Sequence, residues 1–254
     1  MKNATKAKLK AGKAAIGVRM DFTSPFVVES MAGLGFDFIY FDLEHGPSSE
    51  ESCQEMIRAA ELAGLTPLVR VPISDPGITG RFLDSGAMGI IFPHCNTKKD
   101  AEAAVRAVKY PPEGERGAGG RSMSLSGMSA ADYIQEANRE TLVITMIEEM
   151  EALDNLHDIL TVEGLDVLWI GRLDFSISSG MPGKLDDPKI QDAVNRIINE
   201  GCAAGKVVGV GAVNADRPEQ VSEFIKQGAR FFSLNTTSIL RSAARNILQN
   251  IKAE

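Results

Sequence analysis

The sequence has few cysteines and no pattern that would pair them. Only three of its 254 residues are cysteine, namely Cys53, Cys95 and Cys202, which argues against a disulfide framework and excludes a Cys-x-x-Cys motif. No run approaches the roughly 20 apolar residues that a membrane span needs. The Lys-rich segment 1–13 also lacks the apolar core of a signal peptide. We therefore expect a cytoplasmic protein with no membrane association.

The sequence also lacks an excess of positive charge. Its 27 Lys and Arg residues face 34 Asp and Glu residues, so the formal net charge is −7. Binding to nucleic acid needs a cationic surface that neutralises phosphates, and we expect no nucleic-acid partner. With 44% hydrophobic and 24% charged residues, the composition is that of a globular protein and excludes a disordered or collagen-like chain.

What the sequence does contain is a series of eight short apolar runs that alternate with amphipathic stretches. Each run is continuous, which is typical of a strand buried on both faces of a parallel sheet. Eight strand–helix units of about 32 residues predict a single-domain (β/α)8 TIM barrel over residues 1–254. The rival is a doubly wound open sheet, which usually carries a Gly-rich turn after its first strand; segment 18–23 has no such turn. The runs are 15–18, 38–41, 67–71, 89–92, 142–147, 167–170, 207–210 and 231–234.

Polar residues stand where several of these runs end. In a barrel the carboxyl ends of the strands share one face, and active sites are built there. Glu148 and Asp174 follow the fifth and sixth runs, and their carboxylates suit Mg²⁺, Mn²⁺ or Co²⁺. Both could instead simply cap the helices that follow. A zinc site of three histidines is excluded, since the chain has only three and His157 lies on a predicted helix.

Two further positions favour an active site at that face. Asp42 and His45 lie three residues apart at a strand end, so a nearby carboxylate could fix the imidazole tautomer and make His45 a general base. Arg70 ends an otherwise apolar strand, and a buried guanidinium there needs an anion. Spacing alone leaves open whether that anion is a protein carboxylate or a substrate. Asp84, near the end of the following helix, resembles an ordinary surface acid.

Other chemistries find less support. A Schiff-base aldolase needs a lysine at a strand end, and no lysine is placed there. Cys95 directly follows His94, but neighbours at a strand end point apart, so we interpret Cys95 as a packed thiol. Residues 235–237 open the last helix, where either a phosphate or a plain N-cap would fit.

One long insert interrupts the alternation. Segment 110–128 is rich in Pro, Gly and Ser and too long for an ordinary connection. It comes after the fourth strand, so we expect it at the active-site end of the barrel, as a lid or an intersubunit loop.

Six short motifs together give the chain a family resemblance. It resembles the HpcH/HpaI aldolase family of metal-dependent pyruvate aldolases, over nearly its whole length from residue 35 to the final helix. That resemblance implies a (β/α)8 barrel whose last helix is exchanged between subunits of a hexamer, a dimer of trimers. It also implies a 2-oxo acid and an aldehyde as reaction partners. The motifs are Asp-Leu-Glu-His-Gly-Pro at 42–47, Pro-Leu-Val-Arg-Val at 67–71, Leu-Asp-Ser-Gly-Ala at 83–87, Tyr-Pro-Pro-Glu-Gly-Glu-Arg-Gly at 110–117, Ile-Glu at 147–148 with Ala-Leu-Asp-Asn at 152–155, and Gly-Arg-Leu-Asp-Phe-Ser at 171–176.

The resemblance also implies roles for individual residues. Glu148 and Asp174 would bind the divalent metal, and His45 would be the base. Asp42 and Asp84 would orient His45, which replaces the plainer interpretation of Asp84.

Substrate contacts follow from the same resemblance. Arg70 would hold the keto oxygen of bound pyruvate, and the backbone amides near Leu173 and Asp174 would meet its carboxylate. The products of cleavage would be pyruvate and an aldehyde.

The chain departs from the family pattern at a few positions. Met146 stands where the family usually has Gln, and Arg172 stands where it has Pro; the segment around Arg121 differs as well. We expect Arg172 and Arg121 to select an acidic or polar group on the acceptor aldehyde. Two alternatives remain, an acyl-CoA lyase of the citryl/malyl type and a barrel that has lost turnover and only binds.

Overall fold

The fold is a closed barrel of eight parallel strands. The structure is a computed structural model that describes residues 2–72 and 76–251. The strands follow one another in sequence order and β1 closes the barrel on β8, so the predicted (β/α)8 barrel is confirmed. All eight apolar runs form strands. These are β1 Ala15–Met20, β2 Phe38–Asp42, β3 Thr66–Arg70, β4 Gly89–Phe92, β5 Leu142–Ile147, β6 Val167–Ile170, β7 Val207–Val210 and β8 Phe231–Asn235.

Helices surround the barrel and cover one of its ends. None of the helices in the described part of the chain is long and apolar enough to cross a membrane. In order, the helices are α1 Ala4–Lys10, α2 Pro25–Ser30, α3 Glu50–Leu62, α4 Pro76–Ser85, α5 Lys98–Val108, α6 Gly120–Ser124, α7 Ala130–Glu140, α8 Met150–Asp154, α9 Leu156–Leu160, α10 Arg172–Ser178, α11 Pro188–Ala203, α12 Glu219–Gln227 and α13 Thr236–Asn250.

The strands are apolar throughout because both of their faces are buried. Side chains that point outward pack beneath the helices, and those that point inward fill the barrel. Inside, the rings of Phe38 and Phe231 stack with their centroids 4.3 Å apart, and Trp169 meets Phe231 edge-on at 5.3 Å. Gly17 makes room for this layer, since a Cβ there would lie 2.3 Å from the Phe38 ring. The barrel interior is therefore a packed core and not a channel.

Helix α1 closes the amino-terminal end of the barrel. Leu9 is buried against the interior core. The Asn3 side chain donates hydrogen bonds to the carbonyls of Met88 and Glu140, at 2.9 and 3.0 Å. Lys6 donates to a backbone carbonyl and pairs with Asp166 at 2.8 Å. With this end sealed, the carboxyl end is the open one.

The insert at 110–128 lies at the closed end, so the expectation that it covers the active-site end of its own barrel is wrong. It follows α5 and not β4, and α5 runs back from the carboxyl end of the strands to their amino end. Within the insert, Arg116 Nη2 lies 2.9 Å from Asp84 Oδ1 near the end of α4. Whether it also contacts another subunit stays a prediction.

Helix α13 has an apolar side that its own chain does not cover. Leu240, Ile247 and Leu248 are 59%, 60% and 69% exposed, although their spacing places them on one side of the helix. The predicted exchange of α13 between subunits would cover this apolar side.

Asn3 offers a test of the closed end. Replacing Asn3 by Ala removes the N-cap bond to the Lys6 N–H and both bonds to the barrel rim. We expect the free energy of unfolding to fall by about 2 kcal/mol, measured by denaturant unfolding. Asn250→Ala, at the exposed end of α13, is the matched control and should change it little. An equal effect of the two substitutions would contradict this role for α1.

Candidate active site

A buried ion-pair network occupies the ends of β2 and β3. Arg70 is 5% exposed and lies beside Asp42 in the strand register. Its Nε donates to Asp42 Oδ1 at 2.8 Å, and its Nη1 lies 3.0 Å from Glu44 Oε2. The anion that a buried Arg70 requires is therefore supplied by two carboxylates of the protein itself.

The network keeps Asp42 ionised. Burial raises the pKa of Asp42, but the hydrogen bonds and charge of Arg70 outweigh burial and lower it below its ordinary value. Asp42 Oδ1 also accepts the backbone N–H groups of Glu44 and His45, at 3.1 and 3.2 Å. Asp42 thus fixes the backbone that follows β2.

His45 lies at the open mouth of the barrel. Its side chain is 62% exposed, and its Nε2 is 3.8 Å from Glu44 Oε2. Asp42 contacts the backbone of His45 and makes no ion pair with the ring, so any orienting effect passes through the backbone. His45 lines a cavity of about 490 Å³ that also includes Arg19 and Asn235.

Asp84 does not reach His45 within one chain. It is the last residue but one of α4, which ends beside the amino end of β4, whereas His45 follows the carboxyl end of β2. Its observed partner is Arg116. The expectation that Asp84 orients His45 is therefore wrong for a single chain, because a helix separates it from the open end.

Glu148 is a buried carboxylate just past β5. It is 1% exposed, and burial raises its pKa to about 7, although the His94 N–H donates to it at 2.9 Å. The charge of Asp174 raises the pKa of Glu148 further. Gly171 permits this proximity, since a Cβ there would lie 2.4 Å from Glu148 Oε2. The turn from β6 into α10 thus packs directly on Glu148 and brings Asp174 to its side.

His94 also lies in this site, although no role was predicted for it from the sequence. Its φ of 53° lies in the left-handed region that non-glycine residues rarely adopt. Its Nδ1 lies 2.7 Å from Glu149 Oε1 and its Nε2 lies 3.1 Å from Glu44 Oε1. The available signal was its position two residues after β4, comparable to that of His45 after β2.

The carboxylates at this face suit a hard divalent cation. Glu148 and Asp174 offer oxygen ligands, and a buried carboxylate with a raised pKa gains from a neighbouring positive charge. Across residues 2–72 and 76–251, no three His, Cys, Asp or Glu side chains form a ready-made metal cage. Two protein carboxylates that leave positions for water and substrate are a usual arrangement for Mg²⁺.

Met146 and Leu173 border the same region. Met146 is buried in β5, and its sulfur lies 3.7 Å from Arg70 Nη1. Leu173, in the first turn of α10, is 55% exposed. Met146 therefore places a weak acceptor beside the guanidinium.

The structure contradicts the expectation that Arg172 and Arg121 contact the substrate within one chain. Arg172 packs its guanidinium over the Phe224 ring of α12, outside the barrel. Arg121 donates to the Ser85 carbonyl at 3.0 Å and pairs with Glu61, at the closed end. Neither side chain lies at the open mouth.

Known proteins resemble the chain over its full length. The family model for HpcH/HpaI aldolase/citrate lyase matches residues 16–242. A 4-hydroxy-2-oxo-heptane-1,7-dioate aldolase of Shigella sonnei is 34% identical, covering 100% of this chain and 97% of that protein. A 5-keto-4-deoxy-D-glucarate aldolase of Shigella boydii is 31% identical, covering 98% of this chain and 96% of that protein.

Solved structures agree with this similarity. The crystal structure of an HpcH/HpaI aldolase from Desulfitobacterium hafniense superposes with a TM-score of 0.90 at 29% sequence identity. It covers 98% of this chain and 96% of that one. The likeness therefore extends over the whole barrel.

Glu148 should make stability depend on pH. Its folded pKa of about 7 exceeds the ordinary 4.5, so the folded state binds more protons between these values. Stability should fall as pH rises from about 4.5 to about 7, by about 3 kcal/mol from this group. In EDTA, Glu148→Gln should therefore be more stable relative to wild type at pH 8 than at pH 4.5, as measured by urea unfolding.

Glu163→Gln, at an exposed position, is the matched control and should show no such dependence on pH. If Glu148→Gln followed the wild-type curve at a constant offset, the raised pKa would be wrong.

Proposed function

Because the chain belongs to the HpcH/HpaI aldolase/citrate lyase family, we propose that it cleaves and forms 4-hydroxy-2-oxo acids, with pyruvate and an aldehyde as the partners. The chain is a carbon–carbon lyase of the aldolase type. The observation that carries the specific proposal is the convergence of three groups at one barrel end. These are the buried Glu148 carboxylate, the buried Arg70 guanidinium and the exposed His45 imidazole.

Glu148 and Asp174 would hold the divalent cation, which we expect to be Mg²⁺, Mn²⁺ or Co²⁺. When bound, the cation supplies positive charge against the negative charge that develops on the keto oxygen of the 2-oxo acid. Packing of Gly171 against Glu148 supports the pairing of these two carboxylates.

Arg70 binds the keto oxygen of the 2-oxo acid. Two of its nitrogens are held by Asp42, and Nη1 faces Glu44 and Met146. Nη1 carries two N–H groups, so beside its ion pair with Glu44 it can turn one of them toward substrate, while the bidentate contact with Asp42 keeps the guanidinium in place. The backbone amides near Leu173 and Asp174 receive the substrate carboxylate.

His45 is the base of the reaction in both directions. In cleavage His45 accepts the proton of the C4 hydroxyl and the C3–C4 bond breaks. The electron pair of that bond remains on the pyruvate fragment, which becomes an enolate, and the aldehyde leaves. In synthesis His45 removes a proton from the pyruvate methyl group. Asp42 fixes the His45 backbone. Asp84 could act on His45 only from another subunit, since it lies at the far end of its own barrel.

The chain acts as a homo-oligomer in this proposal, a hexamer built as a dimer of trimers. The uncovered apolar side of α13 supports an exchange of this helix between subunits. The exchange would bury side chains that are costly to leave in water.

An acyl-CoA lyase is less well supported. The start of α13, where the sequence left room for a phosphate, holds a protein carboxylate. The Thr237 N–H donates to Asp21 Oδ2 at 2.8 Å, and a phosphate there would meet a like charge.

Hydrogen exchange tests the proposal. In D₂O the protein with Mg²⁺, Mn²⁺ or Co²⁺ should exchange the methyl protons of pyruvate, followed by NMR, and EDTA should stop the exchange. His45→Ala should slow it by about 10²- to 10⁴-fold, and Glu148→Ala should abolish it. His157→Ala, at an exposed position on α9, is the control. No exchange with any of the three metals would contradict the aldolase proposal.

Arg70 offers a test of substrate binding. Lys keeps the charge of Arg70 but cannot hold Asp42 through two nitrogens. We expect Arg70→Lys to lower kcat/KM for pyruvate by about 10²-fold, or about 2.7 kcal/mol, in steady-state aldol addition. Arg58→Lys, on the exposed face of α3, should leave kcat/KM unchanged. A wild-type kcat/KM in Arg70→Lys would contradict the role given to Arg70.

A further inference from the structure

We propose that the small cavity between α10, α11 and α12 binds an α-amino acid as its zwitterion, with Arg172 as the receptor for the carboxylate. The cavity lies outside the barrel and shares no lining residue with the cavity at His45. The inference goes beyond the proposed aldolase function and does not depend on it.

Arg172 is a buried cation that lines this cavity. It is 7% exposed, and within the described parts of the chain its Nε has no hydrogen-bond partner and its guanidinium makes no ion pair. The guanidinium lies over the Phe224 ring, whose centroid is 5.3 Å from Arg172 Cζ. A buried cation that lacks a partner is costly, so this guanidinium is poised to accept an anion.

The cavity above Arg172 has the size of a small metabolite. Its volume is about 170 Å³, and Arg172 and Phe224 form its buried floor. The guanidinium lies over the Phe224 ring, a cation–π contact that uses none of its N–H groups and so leaves them available to bind an anion. The rim is more exposed and is lined by Asp186, Gln191, Gln220, Glu223 and Gln227.

The charges of floor and rim select the ligand. A carboxylate would pair with Arg172 through two parallel hydrogen bonds. Asp186 and Glu223 at the rim would repel a second anionic group but attract an ammonium group. The glutamine amides can both donate and accept. A molecule with a carboxylate at one end and an ammonium group beside it, which is an α-amino acid, matches this order of charges.

Titrations of the full chain test the assignment. Glycine, L-serine and L-glutamine are titrated by calorimetry, together with acetate, which lacks the ammonium group, and ethylamine, which lacks the carboxylate. We expect at least one amino acid to bind saturably, acetate to bind at least tenfold more weakly, and ethylamine not to bind. No saturable binding of any of the three amino acids, or equal binding of acetate, would overturn the proposal.

Variants locate the site. Arg172→Leu should weaken amino-acid binding at least tenfold, whereas Arg196→Leu, an exposed arginine of α11 paired with Glu200, should not change it. Because Leu removes an unpaired buried charge, the melting temperature of Arg172→Leu should not fall. If it does fall, a second variant at the rim tests the same site without changing the buried floor.

In that second variant, Glu223→Gln with Asp186→Asn, the exposed rim loses its two charges. Amino-acid binding should weaken several-fold while acetate binding is kept. Amino-acid affinity that survives either Arg172→Leu or the rim variant would overturn the proposal. All of these outcomes are read from binding alone, so they stand apart from any result on aldolase activity.

Discussion

The open end of the barrel is organised by the need to compensate one buried guanidinium. Arg70 at the end of β3 cannot be buried alone, because an isolated charge in a low-dielectric interior costs several kcal/mol. Asp42 on the adjacent strand and Glu44 in the loop that follows it both form ion pairs with Arg70. Asp42 in turn accepts the N–H groups of that loop. The conformation that presents His45 thus follows from the pairing of Arg70.

The same end holds a second carboxylate, that of Glu148, whose pKa is shifted in the opposite direction. Arg70 lowers the pKa of Asp42, whereas burial raises that of Glu148 to about 7. Two acids on one face are therefore differentiated by their surroundings, one as a fixed anion and the other as a group that gains from added positive charge. His94, held in a rare backbone conformation, borders Glu148 and Glu44.

Much of the fold could be predicted because strands buried on both faces leave a continuous apolar signature. The positions of Asp42, Arg70 and Glu148 at the open end followed from the same pattern. The direction of individual side chains did not. Arg172 and Asp174 are two residues apart in α10, so they point about 200° apart around the helix. Because Arg172 is close to Asp174 in sequence, it was expected to contact substrate. The geometry of α10 instead directs its side chain away from the side that carries Asp174.

Asp84 and the insert at 110–128 were misplaced for a related reason. Motifs show which residues recur together, but they do not show which end of a helix carries them, and α4 and α5 each carry the chain from the open end to the closed one. The partner of Asp84 is Arg116, a contact between segments 32 positions apart that no local pattern encodes.

The sealing of the barrel by α1 has a consequence for the order in which the molecule assembles. Asn3 and Lys6 precede β1, yet the carbonyls and the carboxylate that they bind lie between residues 88 and 166. Contacts of such sequence separation carry a large loop-closure cost and form late. Helix α1 is thus expected to be among the last elements of the barrel to become ordered.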